Sequence, residues 1–264
     1  KRGIEKESLR IDPQGSISKK KHPNKLGSAL TNSFITTDFS EALLELVTPA
    51  FTNVEECLSF LTDLHAFVHQ SIDKELLWPL SMPCSIGANE DVVIGEYGTS
   101  NSGRMKTVYR KGLAHRYGSK MQAIAGIHYN FSLPDELFVK IADFRGLKEK
   151  DIKDIKSEIY LGMARNFKRY EWLYFLLFGA SPSFSETFTE KNLSSFERLN
   201  KRSYFKQQAT SLRMGDLGYI SETQDDLNIS INSIQEYIQD LKTALTKPHV
   251  DYENIGEFSN EQRI

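Results

Sequence analysis

Glu5 and Glu7 stand two residues apart in the run Gly3-Ile4-Glu5-Lys6-Glu7-Ser8-Leu9-Arg10-Ile11. Its alternation predicts a strand with Glu5, Glu7, Leu9 and Ile11 on one face. On a strand, that spacing puts the two Cα atoms about 6.6 Å apart, so both carboxylates project the same way and can converge on one ion. Two bare carboxylates about 4 Å apart repel by about 4 kcal/mol at an effective dielectric of about 20, so converging acids require a cation, a proton or a salt bridge. The chemistry on offer is divalent-cation binding through hard carboxylate oxygens. The alternative is an edge strand with Glu5 and Glu7 solvated beside Lys6 and Arg10.

Further candidates lie downstream. Asp38 and Glu45 are acids in the mostly apolar stretch Ser33 to Pro49, where a charged side chain needs a partner. A helix N-cap for Asp38 and a surface salt bridge for Glu45 compete with metal ligation. Met121 to Ser132 alternates like a strand, with Gln122, Ile124, Gly126, His128 and Asn130 on one face and Ala123, Ala125, Ile127, Tyr129 and Phe131 on a greasier one. His128 is then either a ligand or a hydrogen-bonded core histidine. The glycine-bracketed loop Tyr97 to Arg104, with Lys106 and Arg110 beyond it, offers a phosphate cradle at a helix N-terminus or a plain connection. Arg213, among Gly215 and Gly218, can clamp a carboxylate bidentately or pair with Asp216. No Gly-x-Ser-x-Gly, His-Glu-x-x-His, paired Cys-x-x-Cys or dinucleotide glycine motif is present.

The elements that must position these groups are mixed. The first strand stops at the turn signal Asp12-Pro13-Gln14-Gly15. Ser40 to Leu46 reads either as a helix with Glu41 and Glu45 one turn apart or as a buried strand. Val54, Cys57, Leu58, Leu61, Leu64 and Val68 recur at helical spacing behind a capping box, Thr52-x-x-Glu55. Trp78 to Pro83 is extended or turning, because each residue before a proline avoids the helical region. Helices are predicted over Met105 to Arg116, Ser157 to Phe178 closed by Gly179, and Asn232 to Leu245, with a loop-rich region before the last. Without a regular βαβ alternation the class is α+β.

Composition sets the outer bounds. With 264 residues, 39% apolar and 26% charged, the chain can bury a full core. A net charge of -2 gives no field favouring nucleic acid or an anionic membrane, and no apolar run approaches the roughly 20 residues that span a bilayer. A cytoplasmic protein is expected. Two cysteines, Cys57 and Cys84, make neither a disulfide framework nor a four-ligand zinc site. The chain opens on a patterned strand without an initiator Met, which is the expectation for a fragment.

Several blocks in order resemble the proteobacterial type of glutamate-cysteine ligase. They are Arg2 to Arg10, Thr36 to Glu45, Trp78 to Cys84, Tyr97 to Gly118, Gly126 to Pro134, Phe178 to Pro182 and Ala209 to Tyr219. The resemblance implies a glutamine-synthetase-like fold, a curved, mainly antiparallel sheet forming a partial funnel with helices packed outside. It implies ATP-dependent joining of the γ-carboxyl of L-glutamate to the amine of L-cysteine through a γ-glutamyl phosphate, with magnesium, or manganese in its place. By the same resemblance Glu5, Glu7, Asp38, Glu45 and His128 would hold or border the metal. Phe39, Ile124 and Arg213 would meet glutamate, and Tyr109, Leu113, Gln122 and Tyr219 the cysteine pocket.

The family carries about as much chain again beyond Ile264. Residues 1–264 would therefore be the N-terminal part of one catalytic domain, truncated at both ends and inactive alone, from a protein that is a monomer when full length. Another carboxylate-amine ligase of the superfamily, and a non-catalytic metal- or nucleotide-binding remnant, are the competing readings.

Overall fold

The computed structural model describes residues 1–147, 150–189, 193–214, 217, 227–246, 258–259 and 262–263. The chain builds an α+β structure on a five-stranded antiparallel sheet. Its long central strand, β1 (Arg2–Ile11), pairs on one side with β3 (Leu43–Val47), which in turn pairs with β2 (Ile35–Thr37). On its other side β1 pairs with two strands end to end. β5 (Ile127–Phe131) runs along Arg2 to Lys6, and the short β4 (Leu76–Leu77) along Arg10 and Ile11.

Residue alternation gives the sheet two different faces. On one, Leu44 and Leu46 of β3 pack with Ile35 and Leu26 against Val68, Leu61 and Leu64 of helix α1 (Val54–Ser71). On the other, Leu9, Ile11 and Leu43 join Phe39, Ile17, Ile86, Ala123 and Ala125 in a core that Leu113 and Ala114 of α2 (Asn101–Tyr117) help to cover. This second face is apolar only over its C-terminal β1 half, and the residues before Leu9 carry the acids.

A buried ion pair anchors the edge of this core. Arg10, fully buried, donates to Glu75 at 2.6 Å and to the main-chain carbonyls of Lys20, Lys21 and Glu41. Glu75 also accepts the Ser18 hydroxyl. The guanidinium fork thus ties β1 to three separate loops, which a point-charge ammonium could not do.

Among the described residues three further helices follow, α3 (Asp135–Phe144), α4 (Ile152–Phe178) and α5 (Ile234–Thr246). Between α4 and α5 lies a small antiparallel sheet of β6 (Ser183–Ser185), β7 (Glu197–Asn200) and β8 (Ser203–Phe205), in the order β6-β8-β7. Two short strands, β9 (Phe258–Ser259) and β10 (Gln262–Arg263), pair with each other. Among the described residues no helix is long and apolar enough to cross a membrane.

Several sequence expectations are corrected. Ser40 to Leu46 is neither all helix nor all strand. Ser40 and Glu41 precede β3, and the Glu41 carboxylate accepts the main-chain N–H groups of His22 and Glu96. The N-cap of α1 is Asn53, accepting from Glu56 N, in place of Thr52 with Glu55. Helix α2 starts at Asn101, four residues before Met105, because the Ser100 hydroxyl caps Gly103 N. Helix α4 begins at Ile152, where Asp151 caps Lys153 N, and α5 covers Ile234–Thr246.

The strand expected over Met121 to Ser132 splits in two. Met121–Ala123 forms a single 3-10 turn with bonds to Ser119 and Lys120, and Ala125 N donates to Ser81 O, so ladder pairing begins only at Ile127. The greasy face foreseen there is exposed at Ile127, Tyr129 and Phe131. The stretch read as loop-rich contains β6 to β8, whose three- and four-residue strands are too short to show alternation.

Candidate metal centre

Register brings the acids together. In the β1–β3 ladder Glu7 stands opposite Glu45, and in the β1–β5 ladder Glu5 stands opposite His128. All four side chains therefore share the face whose far half is the Leu9–Leu43 core. Directly paired residues on one face lie about 4.5–5.5 Å apart at Cβ, which is within reach of a common ion. Glu5, Glu45 and His128 each offer a ligand atom within 4.8 Å of the others.

The local bonding holds each group in place. Glu7 Oε2 accepts Gly126 N at 2.6 Å, and its Oε1 lies 4.0 Å from His128 Nε2. Glu5 accepts His128 Nδ1 at 3.0 Å through one oxygen and Asn130 Nδ2 at 2.8 Å through the other. Gly126 borders this cluster, since a Cβ there would sit 3.5 Å from Glu7 Oε2 and 3.6 Å from His128 Nε2.

Asp38 completes the group from the segment between β2 and β3. Its main-chain carbonyl accepts the Tyr97 hydroxyl at 2.9 Å and the Arg110 guanidinium. Tyr97 also donates to Thr37 O and accepts from Thr37 Oγ1, and Arg110 lies over the Tyr97 ring at 4.6 Å. Asp38 is thus placed by a loop and helix more than fifty residues later. Gly103 permits the close approach, because a Cβ would fall 2.3 Å from Tyr97 O.

Electrostatics describes a crowded anionic site. Burial pushes the Glu45 carboxyl up to about 7, and the charges of Asp38, Glu7 and Glu5 add to the rise against an opposing His128. Burial also raises Glu7, though Gly126 N pulls it back, and raises Asp38 against the attraction of Arg110. Glu5 is lowered, chiefly by the Asn130 hydrogen bond. Burial depresses His128, but its bond to Glu5 and the charges of Glu7, Glu5 and Glu45 outweigh that and raise it. The carboxyls of Glu7, Asp38 and Glu45, raised in this way beside an ionised Glu5, are a donor set that a divalent cation would neutralise.

The remaining expected residues come from several elements. Phe39 is buried in the core directly after Asp38, so it forms a floor. Ile124 packs against the cluster of Met82, Phe184, Phe188, Leu212 and Leu217, and Arg213 follows Leu212 in a single 3-10 turn. On α2, Tyr109 is exposed and Leu113, one turn on, packs against the core. Gln122 holds a buried Nε2 without a hydrogen-bond partner. Tyr219 and Asp216 lie outside the described residues. The Tyr97–Arg104 loop is not left open for phosphate at Ser100, whose hydroxyl accepts Gly103 N, and Lys106 lies over the Tyr97 ring at 5.1 Å. Sequence reasoning missed Asn130, Tyr97 and Arg110 as supports of the acids. Only the position of Asn130, two residues after His128, signalled its role.

Residues 1–264 match the glutamate-cysteine ligase family from end to end. The chain belongs to the glutamate-cysteine ligase family. Among similar proteins, the glutamate-cysteine ligase of Alcanivorax borkumensis is 48% identical over 256 residues, covering 97% of this chain and 49% of that one. The Shewanella pealeana ligase is 45% identical over 258 residues, again 97% of this chain and 49% of the relative. The crystal structure of the Francisella tularensis glutamate-cysteine ligase in complex with AMP superposes with a TM-score of 0.90 at 40% identity, over 99% of this chain and 51% of that one. A bifunctional glutathione synthetase from Pasteurella multocida gives a TM-score of 0.76 at 31% identity, over 94% of this chain and 30% of its own. The chain therefore spans about half the length of the glutamate-cysteine ligases it matches. The α+β expectation and the family resemblance both hold.

Proposed function

We propose that this chain carries the metal-binding half of a glutamate-cysteine ligase centre, which joins the γ-carboxyl of glutamate to the amine of cysteine with ATP hydrolysed to ADP and phosphate. The observation that carries the reading is the convergence of Glu5, Glu7, Glu45 and His128 from three strands, with Glu45 pushed up to about 7, in a chain of this family. In the reaction, the γ-phosphoryl of ATP passes to the glutamate γ-carboxylate and ADP leaves. The cysteine nitrogen then attacks the acyl carbon, losing a proton as phosphate departs.

Glu5, Glu7 and Glu45 offer hard oxygen ligands for magnesium or manganese, with Asp38 and His128 beside them. When bound, divalent cations supply charge neutralisation for the transferring phosphoryl group. The chain's own part is positional. Asn130 and Gly126 fix Glu5 and Glu7, and the Tyr97–Arg110 pair fixes the Asp38 main chain. Such preorganised groups act without rearranging as charge develops.

For glutamate, the resemblance assigns Phe39, Ile124 and Arg213, where a guanidinium suits the substrate's carboxylate. For cysteine it assigns Tyr109, Leu113, Gln122 and Tyr219. The buried Gln122 Nε2, without a hydrogen-bond partner, supports a polar acceptor there, since an unpaired buried donor is costly.

The test is a fused chain of residues 1–264 followed by the unmatched second half of the Alcanivorax borkumensis relative. The reading predicts ADP release that needs both glutamate and cysteine and is abolished by Glu7→Gln. Residues 1–264 alone are expected to show none. ADP release indifferent to cysteine, or retained in Glu7→Gln, would refute the proposal.

A further inference from the structure

Glu41 is 3% exposed, and a carboxylate tolerates such burial only when its oxygens are hydrogen-bonded. Each oxygen accepts a main-chain N–H. One takes His22 N at 2.6 Å and the other Glu96 N at 2.8 Å. The donors lie 19 residues before Glu41 and 55 residues after it, so one side chain fastens two distant loops to the turn that follows Asp38.

The main chain of that turn is bonded to the same later segment. Glu41 N donates to Val93 O at 2.8 Å and Gly95 N donates to Phe39 O at 3.0 Å, with Ser40 and Ile94 bridged antiparallel between them. From the other side Arg10 donates to Ala42 O through its N–H at 2.7 Å and to Glu41 O through its guanidinium at 2.9 Å. Residues 93–97 thus run beside 37–41 like a short strand. The bond from Glu96 N to the Glu41 carboxylate comes one residue before Tyr97, whose buried hydroxyl donates to Thr37 O at 2.8 Å and Asp38 O at 2.9 Å. Little slack is left, since a Cβ at Gly95 would lie 3.1 Å from the Tyr97 hydroxyl and 3.3 Å from Thr37 Oγ1.

We propose that Glu41, a residue outside the acidic cluster, is a positioning residue for the metal centre. By holding Glu96 N it sets Tyr97, and through the Tyr97 hydroxyl it sets the Asp38 main chain beside Glu7 and Glu45. A carboxylate suits this post because two N–H donors converge on it. An amide of the same shape would accept from one and turn its own N–H groups on the other, and a charged acceptor makes the stronger bonds. For its effect on cation binding the proposal rests on the metal-centre reading. The placement of Asp38 does not depend on that reading.

Residues 1–264 carrying Glu41→Gln, Tyr97→Phe or both form a double-mutant cycle that tests it. Manganese affinity is read by electron paramagnetic resonance. Amide exchange at Asp38 and Glu96 is read by nuclear magnetic resonance in the cation-free chain, at a temperature where the circular dichroism of every variant matches the unsubstituted chain. Glu41→Gln is expected to weaken manganese binding about tenfold. The double variant should bind no more weakly than the poorer single one, because both residues act along one path. Without manganese, Glu41→Gln should speed exchange of both amides at least about tenfold.

Four outcomes overturn the proposal. They are manganese affinity unchanged by Glu41→Gln, losses that simply add in the double variant, Asp38 and Glu96 amides that exchange at the unsubstituted rate, and global unfolding of Glu41→Gln, which would make Glu41 a general prop of the fold. An unsubstituted chain that binds no manganese would refute the metal-centre reading instead, and the exchange rates would then decide the placement of Asp38 by themselves.

Discussion

Glu7 and Glu45 face each other directly across the β1–β3 ladder, two carboxylates on one face of the sheet. Burial first, and then the like charges of Asp38, Glu7 and Glu5, push the Glu45 carboxyl up to about 7, against 4.5 for an ordinary glutamate. Between those values the folded state binds more protons than the unfolded one. Stability therefore falls as pH rises through that window, and the full penalty is present above it. His128, also raised, titrates in the same sense. Glu45→Gln should raise the melting temperature of the metal-free chain above pH 7, with the gain vanishing toward pH 4.5. Thermal melts across that range check it.

Glu7 has two separable roles, since it accepts Gly126 N and belongs to the anionic cluster. Glu7→Gln keeps an acceptor oxygen and removes the charge, so stability should be retained while divalent-cation affinity drops. Glu7→Ala also strands a main-chain N–H in a part-buried site, a loss of about 1–3 kcal/mol. Urea denaturation of the two variants alongside manganese titration distinguishes the roles.

The Tyr97–Arg110 support predicts coupling between α2 and the acids. Tyr97→Phe removes the hydroxyl bonded to Thr37 and Asp38, and Gly103→Ala drives a methyl into Tyr97 O. Both should weaken manganese binding, although neither residue belongs to the acidic cluster. Unchanged affinity in both variants would show that Asp38 needs no such support.

Arg10 and Glu75 form a buried pair remote from the acids. Arg10→Met leaves Glu75 buried without its counter-charge and frees three main-chain carbonyls, and breaking one side of such a pair costs about 3–5 kcal/mol. Urea denaturation should show that loss, and Arg10→Lys should recover only part of it because one ammonium cannot span the same acceptors.

What could be read from the sequence follows the range of each interaction. The shared face of Glu5, Glu7, Leu9 and Ile11 was legible because a strand's period is local, and the burial of Cys57 and Val68 because a helix's is. The pairing of Glu7 with Glu45 was not, since register depends on which strands meet, and that left Ser40 to Leu46 open between helix and strand. Gln122 and His128 were expected on one strand, yet the competing bonds of Ala125 N to Ser81 O and Gly126 N to Glu7 end the ladder between them. Arg110 was legible only as a cation beside the Tyr97–Arg104 loop, because its partner is a main-chain carbonyl 72 residues away, and a carbonyl carries no residue-type signature. The family resemblance supplied the metal role of Asp38 and Glu45, which spacing alone had left beside bland alternatives.

We propose that Glu5, Glu7, Glu45 and His128 form a divalent-cation site. Manganese titration of residues 1–264, followed by electron paramagnetic resonance, tests it most directly. Saturable binding that magnesium displaces, that weakens as pH falls below 7, and that is lost in both Glu7→Gln and Glu45→Gln is the predicted result. Binding that survives both substitutions, or no saturable binding above pH 7, would contradict it.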